Sequence, residues 1–209
     1  MTERRRIFRV GLTGGTGAGK TVVARYLVSW GALLIEGDVI GREVVEPGSD
    51  AWKALVNAFG QEILLPEGTL DRRKLAHLVF TDPAARAALD SIIHPPLLSR
   101  LHETIQRVEQ HAGAHGRILV VDAALIFEWD ILDWFDRILV VVASEESCVR
   151  RLIEDGLSEA EARGRIRSQL DPLEKARRAH EVIRNDGSLE ELETAAREVW
   201  ERFQQAARA

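Results

Sequence analysis

A glycine-rich segment near the start of the chain constrains its fold more than any other feature of the sequence. Residues 14–21 read Gly-Gly-Thr-Gly-Ala-Gly-Lys-Thr, which fits the pattern G-x-x-x-x-G-K-[ST]. The segment follows the apolar run 7–13, a predicted strand, and opens a predicted amphipathic helix at residues 20–29. This order is typical of a P-loop, which wraps nucleotide phosphates. The predicted phosphate-binding residues are Gly14, Gly15, Thr16, Gly17, Ala18, Gly19, Lys20 and Thr21.

The residue types of the P-loop suit a magnesium–nucleotide complex. Its glycines let backbone N–H groups turn inward around phosphate oxygens, and the helix N-terminus adds partial positive charge. Lys20 is predicted to reach the β and γ phosphates, and the Thr21 hydroxyl to ligate Mg²⁺. Asp122 ends the predicted strand 118–121 and is the second predicted Mg²⁺ residue, acting through water; a helix N-cap is its alternative role.

Two absences narrow the class of nucleotide-binding protein. Ala123 follows Asp122, where motor ATPases usually carry a glutamate that activates water. The guanine-reading signature Asn-Lys-x-Asp does not occur in the chain. Both observations weigh against a motor or a GTPase switch.

Apolar runs alternate with helical patterns, which predicts an α/β fold with a five-stranded, mainly parallel sheet. Two runs are continuously apolar, as strands buried on both faces require. The predicted strands are residues 7–13, 32–35, 118–121, 138–142 and 182–183. The last helix, 189–208, follows Ser188 as N-cap, with Glu191 as its capping-box partner.

Two helical segments interrupt the predicted core, which comprises residues 1–37, 116–147 and 179–209. Residues 38–115 are too long for a simple crossover, so we interpret them as a helical insertion with helices at 51–59, 72–80, 83–93 and 96–110. Prolines open the last two of these helices. Residues 148–178 hold seven arginines, which suits a lid that closes on phosphates; a solvated basic face is the alternative.

Composition excludes several classes of protein. Lys plus Arg number 28 and Asp plus Glu 33, so the net charge of −5 argues against a broadly basic nucleic-acid binder. Cys148 is the only cysteine, which rules out an intramolecular disulfide and any zinc site that needs two cysteines. The apolar run 7–13 is too short and too interrupted for a signal or membrane segment. We expect a cytoplasmic protein with no membrane or nucleic-acid partner.

Several motifs in chain order resemble the dephospho-CoA kinases over nearly the whole chain. The most specific pieces are Asp38-x-x-x-Arg42-Glu-Val-Val-Glu-Pro-Gly and the Ile93-His94-Pro95 step. The P-loop, Leu70-Asp71-Arg72, Asp122-x-x-Leu125-x-Phe127-Glu128, Gln169 and Val182-Ile183-x-Asn185-x-Gly187-Ser188 complete the match.

The resemblance implies a three-layer P-loop kinase fold with a helical CoA domain and a lid. It also implies transfer of the ATP γ-phosphoryl group to the ribose 3′-hydroxyl of dephospho-CoA, with Mg²⁺, by a monomer or small homo-oligomer.

Asp38 matches the base that orients the acceptor hydroxyl, a role that its place after the second strand also allows; a turn residue is the alternative. The implied catalytic residues are Asp38, Lys20 and Arg150. The implied acceptor-binding residues are Asp38, Arg42, His94 and Asp122. Arg150, Arg165 and Asn185 join the P-loop in binding ATP, and Asn185 matches a family position near the adenine.

Three departures from the family pattern keep other functions open. Glu36-Gly37 replaces the usual Asp-Ala, Ala124 stands where a proline is usual, and Glu154 stands where the lid usually carries a second arginine. A kinase of another nucleoside-like acceptor is one alternative. A non-catalytic ATP-binding regulator derived from the kinase is the other.

Overall fold

The computed structural model describes residues 7–111 and 118–209, and its centre is a parallel sheet of five strands in the order β2-β3-β1-β4-β5. Each predicted strand is found, with ends shifted by no more than one residue, which confirms the predicted α/β fold. The strands are β1 (Phe8–Gly14), β2 (Leu33–Glu36), β3 (Ile118–Asp122), β4 (Arg137–Val142) and β5 (Glu181–Arg184). The helices are α1 (Lys20–Ser29), α2 (Gly37–Glu43), α3 (Asp50–Phe59), α4 (Arg72–Thr81), α5 (Pro83–His111), α6 (Glu145–Glu154), α7 (Glu159–Arg167), α8 (Pro172–Arg178) and α9 (Leu189–Ala206).

The register of the sheet places the P-loop strand at its centre. β1 pairs with β3 on one side, Leu12 opposite Asp122, and with β4 on the other, Gly14 opposite Val141. β3 and β4 are buried along nearly their whole length, as strands covered on both faces must be. Helices α1 and α9 pack against the sheet through Leu27, Val199 and Phe203, among other side chains.

The described chain divides into two compact units, Gly37–Arg107 and the remainder, which we call the core unit. The Gly37–Arg107 unit has its own apolar cluster, built on Leu55, Ile63 and Leu75. Its helices begin at residues whose side chains accept backbone N–H groups: Ser49 caps α3 and Asp71 caps α4. Local capping and one apolar cluster therefore account for the fold of this unit.

Helix α5 corrects one prediction, because it runs unbroken through Pro95 and Pro96, where we predicted two helices. A proline inside a helix removes one hydrogen bond and crowds the carbonyl four residues earlier, at a cost of about 3 kcal/mol. Buried apolar residues recur beyond the prolines at Leu97, Leu101 and Ile105, in helical spacing. Burial of that face outweighs the local preference for a break.

The arginine-rich segment forms three short helices rather than one continuous element. α6 begins at Glu145, three residues before the segment was predicted to start, because the Ser144 side chain accepts the Ser147 amide. α7 carries a full capping box between Ser158 and Glu161, and α8 has Pro172 in its first turn. α9 begins with the predicted Ser188–Glu191 capping box.

Candidate active site

The P-loop leaves β1 through a backbone conformation that only glycine adopts easily. Gly14, Gly17 and Gly19 have φ angles of +147°, +78° and +97°. A Cβ atom would collide with Val141 O at Gly14, and would lie 2.8 Å from Cys148 O at Gly17. At Gly19 it would collide with the side-chain nitrogen of Asn185. Conformation and space therefore both require these glycines.

The Lys20 side chain lies across the P-loop, and its phosphate-binding role stays a prediction. Its Nζ donates to the carbonyl oxygens of Gly14 and Gly15, each at 3.1 Å. Thr21, the next residue, is exposed in the first turn of α1. The loop thus brings together a cation, a hydroxyl and the N-terminus of a helix, which carries partial positive charge.

Two side chains hold P-loop carbonyls from the α6 and β5 side. Arg151 donates from Nη1 to Gly17 O at 3.1 Å and from Nη2 to Asn185 O at 2.7 Å. Asn185 is only 6% exposed, and its Nδ2 donates to Ala18 O at 2.8 Å. The sequence predicts Arg151 as one of the seven lid arginines and does not predict these contacts with carbonyl oxygens.

One residue just before α8 contacts the P-loop, and one residue within α8 contacts the chain that follows β3. Gln169 Oε1 accepts the Thr16 amide at 3.1 Å. Lys175, fully buried, donates from Nζ to Ala124 O at 2.9 Å and pairs with Glu128 Oε1 at 2.7 Å. The Thr13 hydroxyl donates to the same Ala124 oxygen at 3.0 Å, so Lys175 and the P-loop strand share an acceptor.

The exit of β3 offers a carboxylate next to the P-loop strand. Asp122 is half-buried and lies in register between Leu12 of β1 and Glu36 of β2. Within residues 7–111 and 118–209, no three acidic, histidine or cysteine side chains form a cluster able to hold a metal alone. A single carboxylate and a hydroxyl suit Mg²⁺, which keeps several waters and takes its other ligands from substrate phosphates.

A cavity of about 380 Å³ lies beside the P-loop within the core unit. Its wall includes Gly15 and Thr16, and Asp186 lies on its lining. Asp186 accepts the Ser144 amide at 2.7 Å, and this hydrogen bond holds the pKa of Asp186 below its usual value. The anchored carboxylate joins the exits of β4 and β5 next to the phosphate-binding loop.

The remaining predicted site residues lie on helices. Asp38 and Arg42 are exposed one turn apart on α2, and His94 is half-buried in α5, all in the Gly37–Arg107 unit. Arg150 on α6 and Arg165 on α7 are exposed. Their roles stay predictions, whereas the P-loop residues, Asn185 and Asp122 lie at the carboxyl end of one sheet.

Comparison with known proteins gives consistent results across sequence and structure. The family model described as dephospho-CoA kinase matches residues 8–191. A dephospho-CoA kinase from Thermobifida fusca (strain YX) is 39% identical over 95% of this chain and 97% of its own length. TT1252 from Thermus thermophilus superposes with a TM-score of 0.77 at 34% identity, over 94% of this chain and 98% of its own. The dephospho-CoA kinase from Campylobacter jejuni, 22% identical over 95% of this chain and 98% of its own, shares the fold with a TM-score of 0.68.

Among the described helices, none combines the length and the apolar composition that a transmembrane span needs.

Proposed function

The chain belongs to the dephospho-CoA kinase family, and from this premise we propose how its residues transfer the γ-phosphoryl group of ATP to dephospho-CoA. The reaction is the last step of coenzyme A biosynthesis, and the proposed acceptor atom is the ribose 3′-hydroxyl oxygen. We propose that the protein acts in the cytoplasm, as a monomer or a small homo-oligomer.

One observation carries the proposal: Lys20 lies across a glycine-built P-loop, one strand away from the Asp122 carboxylate. Phosphoryl transfer needs little covalent chemistry from the protein, so positioning and electrostatic stabilisation supply most of the catalysis. Lys20 and the loop amides neutralise charge on the β and γ phosphates. Arg150 and Arg165 are proposed to add positive charge from α6 and α7 as the transferring group develops charge.

Mg²⁺ would supply positive charge that offsets the negative charge of the nucleotide phosphates. Thr21 and Asp122 are the residues proposed to hold it, because they supply the oxygen donors that this ion prefers.

The Gly37–Arg107 unit is proposed to hold the acceptor. Asp38 accepts the proton of the attacking hydroxyl, and Arg42 and His94 bind the acceptor nucleotide. Asp38 and Arg42 are separated by one helical turn on α2, so both project from one face of that helix. Asp122 contributes to acceptor binding at the sheet edge in addition to its proposed metal role.

A substrate panel tests the proposal. The protein is incubated with ATP and Mg²⁺ together with dephospho-CoA, adenosine, CMP or pantothenate in separate tubes, and products are identified by mass spectrometry. We expect an increase of about 80 Da only with dephospho-CoA, the mass added when a phosphoryl group replaces the hydroxyl hydrogen. Phosphorylation of a different acceptor would reveal another nucleoside-like kinase. ATP binding with no product in any tube would reveal the regulator.

A further inference from the structure

Two consecutive peptide groups of the P-loop are held from outside by side chains. The Gly17 carbonyl accepts Arg151 Nη1 and the Ala18 carbonyl accepts Asn185 Nδ2. A peptide group is planar and trans, so its N–H points opposite to its carbonyl. Each of these hydrogen bonds therefore sets the direction of the N–H that follows it.

The two N–H groups have different uses. The Ala18 amide donates to Gly15 O at 3.2 Å and closes the turn of the loop. The Gly19 amide belongs to the N-cap residue of α1, where helical N–H groups lack an acceptor within the helix. With the Ala18 carbonyl turned toward Asn185, the Gly19 amide faces away from Asn185 and is available to a phosphate oxygen.

Burial and further hydrogen bonds hold Asn185 and Arg151 in place. Asn185 is buried and its own amide donates to Val142 O at 2.8 Å, as the sheet continues past β5. Arg151 joins the two contacts, because its Nη2 donates to the Asn185 carbonyl. No Cβ fits at Gly19 against the Asn185 side chain, so the loop and the asparagine are in close contact.

We infer that Asn185 and Arg151 are positioning residues that aim the Gly19 amide at the nucleotide phosphates from outside the site. This inference rests on the proposed function for the identity of the ligand. It assigns Asn185 a role through the loop, in place of the direct contact near adenine that the sequence resemblance implies. The phosphate chain, not the base, is the part of the nucleotide that these residues govern.

Affinities for inorganic triphosphate, ATP and adenosine separate the two roles. Asn185→Asp keeps the shape but replaces the donor with a carboxylate beside the Ala18 carbonyl. We expect its dissociation constants for triphosphate and ATP to rise by the same factor, about tenfold or more, because one oriented donor to a charged group is lost. The constant for adenosine should stay within twofold. The matched control is Asn57→Asp, the same change at an exposed residue of α3.

Two outcomes would overturn the inference. One is an unchanged triphosphate affinity in folded Asn185→Asp. The other is a loss of ATP and adenosine affinity without loss of triphosphate affinity, which would place Asn185 at the base. In both cases a wild-type enzyme that phosphorylates dephospho-CoA would leave the proposed function intact. A wild-type protein that binds triphosphate but phosphorylates none of the acceptors would contradict the proposed function and leave this inference intact.

If Asn185→Asp does not fold, a second variant and a measurement on the wild-type protein still test the inference. Arg151→Lys keeps the charge but loses the planar fork that reaches two carbonyls, so we expect a smaller loss of triphosphate affinity, about threefold to tenfold. In wild-type protein labelled with ¹⁵N-glycine, added triphosphate should move the Gly19 amide proton resonance downfield. An unmoved Gly19 resonance at saturating triphosphate would contradict the inference without any substitution.

Discussion

Lys175 Nζ lies 2.7 Å from Glu128 Oε1, and the lysine side chain is fully buried. The same ammonium donates to Ala124 O, and Glu128 Oε1 also accepts the Leu170 amide. Arg178, three residues along α8, stacks 5.0 Å from the Phe127 ring centre. Helix α8 is therefore fixed to the chain that leaves β3, at residues two to six positions beyond the predicted magnesium ligand Asp122.

Removal of the buried cation should destabilise the protein. Lys175→Met leaves the Glu128 carboxylate without its partner, and breaking a buried pair in this way costs about 3–5 kcal/mol. Because Glu128 is 25% exposed, water still reaches its carboxylate, so we expect the lower end of this range. The free energy of unfolding, measured with urea, should fall by about 3 kcal/mol. Lys53→Met, which breaks the exposed pair with Asp50, is the control and should change it by less than about 0.5 kcal/mol. A loss below about 1 kcal/mol for Lys175→Met would show that the pair adds little.

The P-loop lysine should be needed for turnover but not for folding. Lys20→Ala removes the charge that neutralises the transferring phosphoryl group, so we expect kcat/KM to fall by on the order of 10²-fold or more. Circular dichroism should stay that of wild type. Arg25→Ala, on the exposed face of the same helix, controls for loss of a cation from α1. Near-normal turnover in Lys20→Ala would contradict the P-loop assignment.

The proposed base should affect turnover without affecting ATP binding. Asp38→Asn keeps the side-chain shape but cannot accept a proton, and positioned bases contribute about 10²–10⁴-fold. We expect a loss in kcat near the lower limit, because a loose transition state needs little help from a base. Asp90→Asn, an exposed change in the same unit, is the control. If the ATP dissociation constant rose along with the loss of turnover, Asp38 would belong to the nucleotide or metal site.

Glu154 tests whether the arginine-rich helices are intact for catalysis. It is the exposed last residue of α6, and its neighbour Arg151 donates to P-loop and Asn185 carbonyls instead of pairing with it. We expect Glu154→Arg to leave turnover with dephospho-CoA within a few-fold. A gain of more than about tenfold, or roughly 1.4 kcal/mol of transition-state stabilisation, would show that the native glutamate impairs the lid.

The single cysteine should react slowly until the protein unfolds. Cys148 is 5% exposed, and burial raises the pKa of its thiol above the usual value for cysteine. At pH 8 we expect iodoacetamide labelling of folded protein to be about 100-fold slower than in urea. A pKa raised by folding stabilises the protein fully below pH 9 and less as pH rises through the folded value. Cys148→Ala should reduce that alkaline decline in unfolding free energy; an identical decline would assign it to other groups.

The strands and the P-loop could be predicted from sequence because their signals are local. Short apolar runs bounded by turn signals, such as 118–121 and 138–142, are typical of buried strands, and the glycine pattern has a fixed spacing. The unbroken α5 could not be predicted, because burial at Leu97, Leu101 and Ile105 opposes the local effect of two prolines.

The residues that hold the P-loop in place gave no comparable signal. Arg150 and Arg151 are adjacent in the chain, yet successive helical residues point about 100° apart, so one is exposed and the other reaches Gly17 O. Lys175 resembles any lysine of a basic helix until the fold brings Glu128 beside it. Roles of this kind depend on contacts between residues that are distant in sequence.

The strand order has a consequence for folding while the chain is being synthesised. β1 lies between β3 and β4, so the strand that carries the P-loop finds its second neighbour only when Val142 has been made, more than 120 residues after Gly14. At about 5–20 residues per second, that interval is on the order of 10 s. All residues of the apolar cluster in the Gly37–Arg107 unit are synthesised within this interval. The apolar cluster of that helical unit is therefore complete in the nascent chain while its β1 segment still lacks both neighbours.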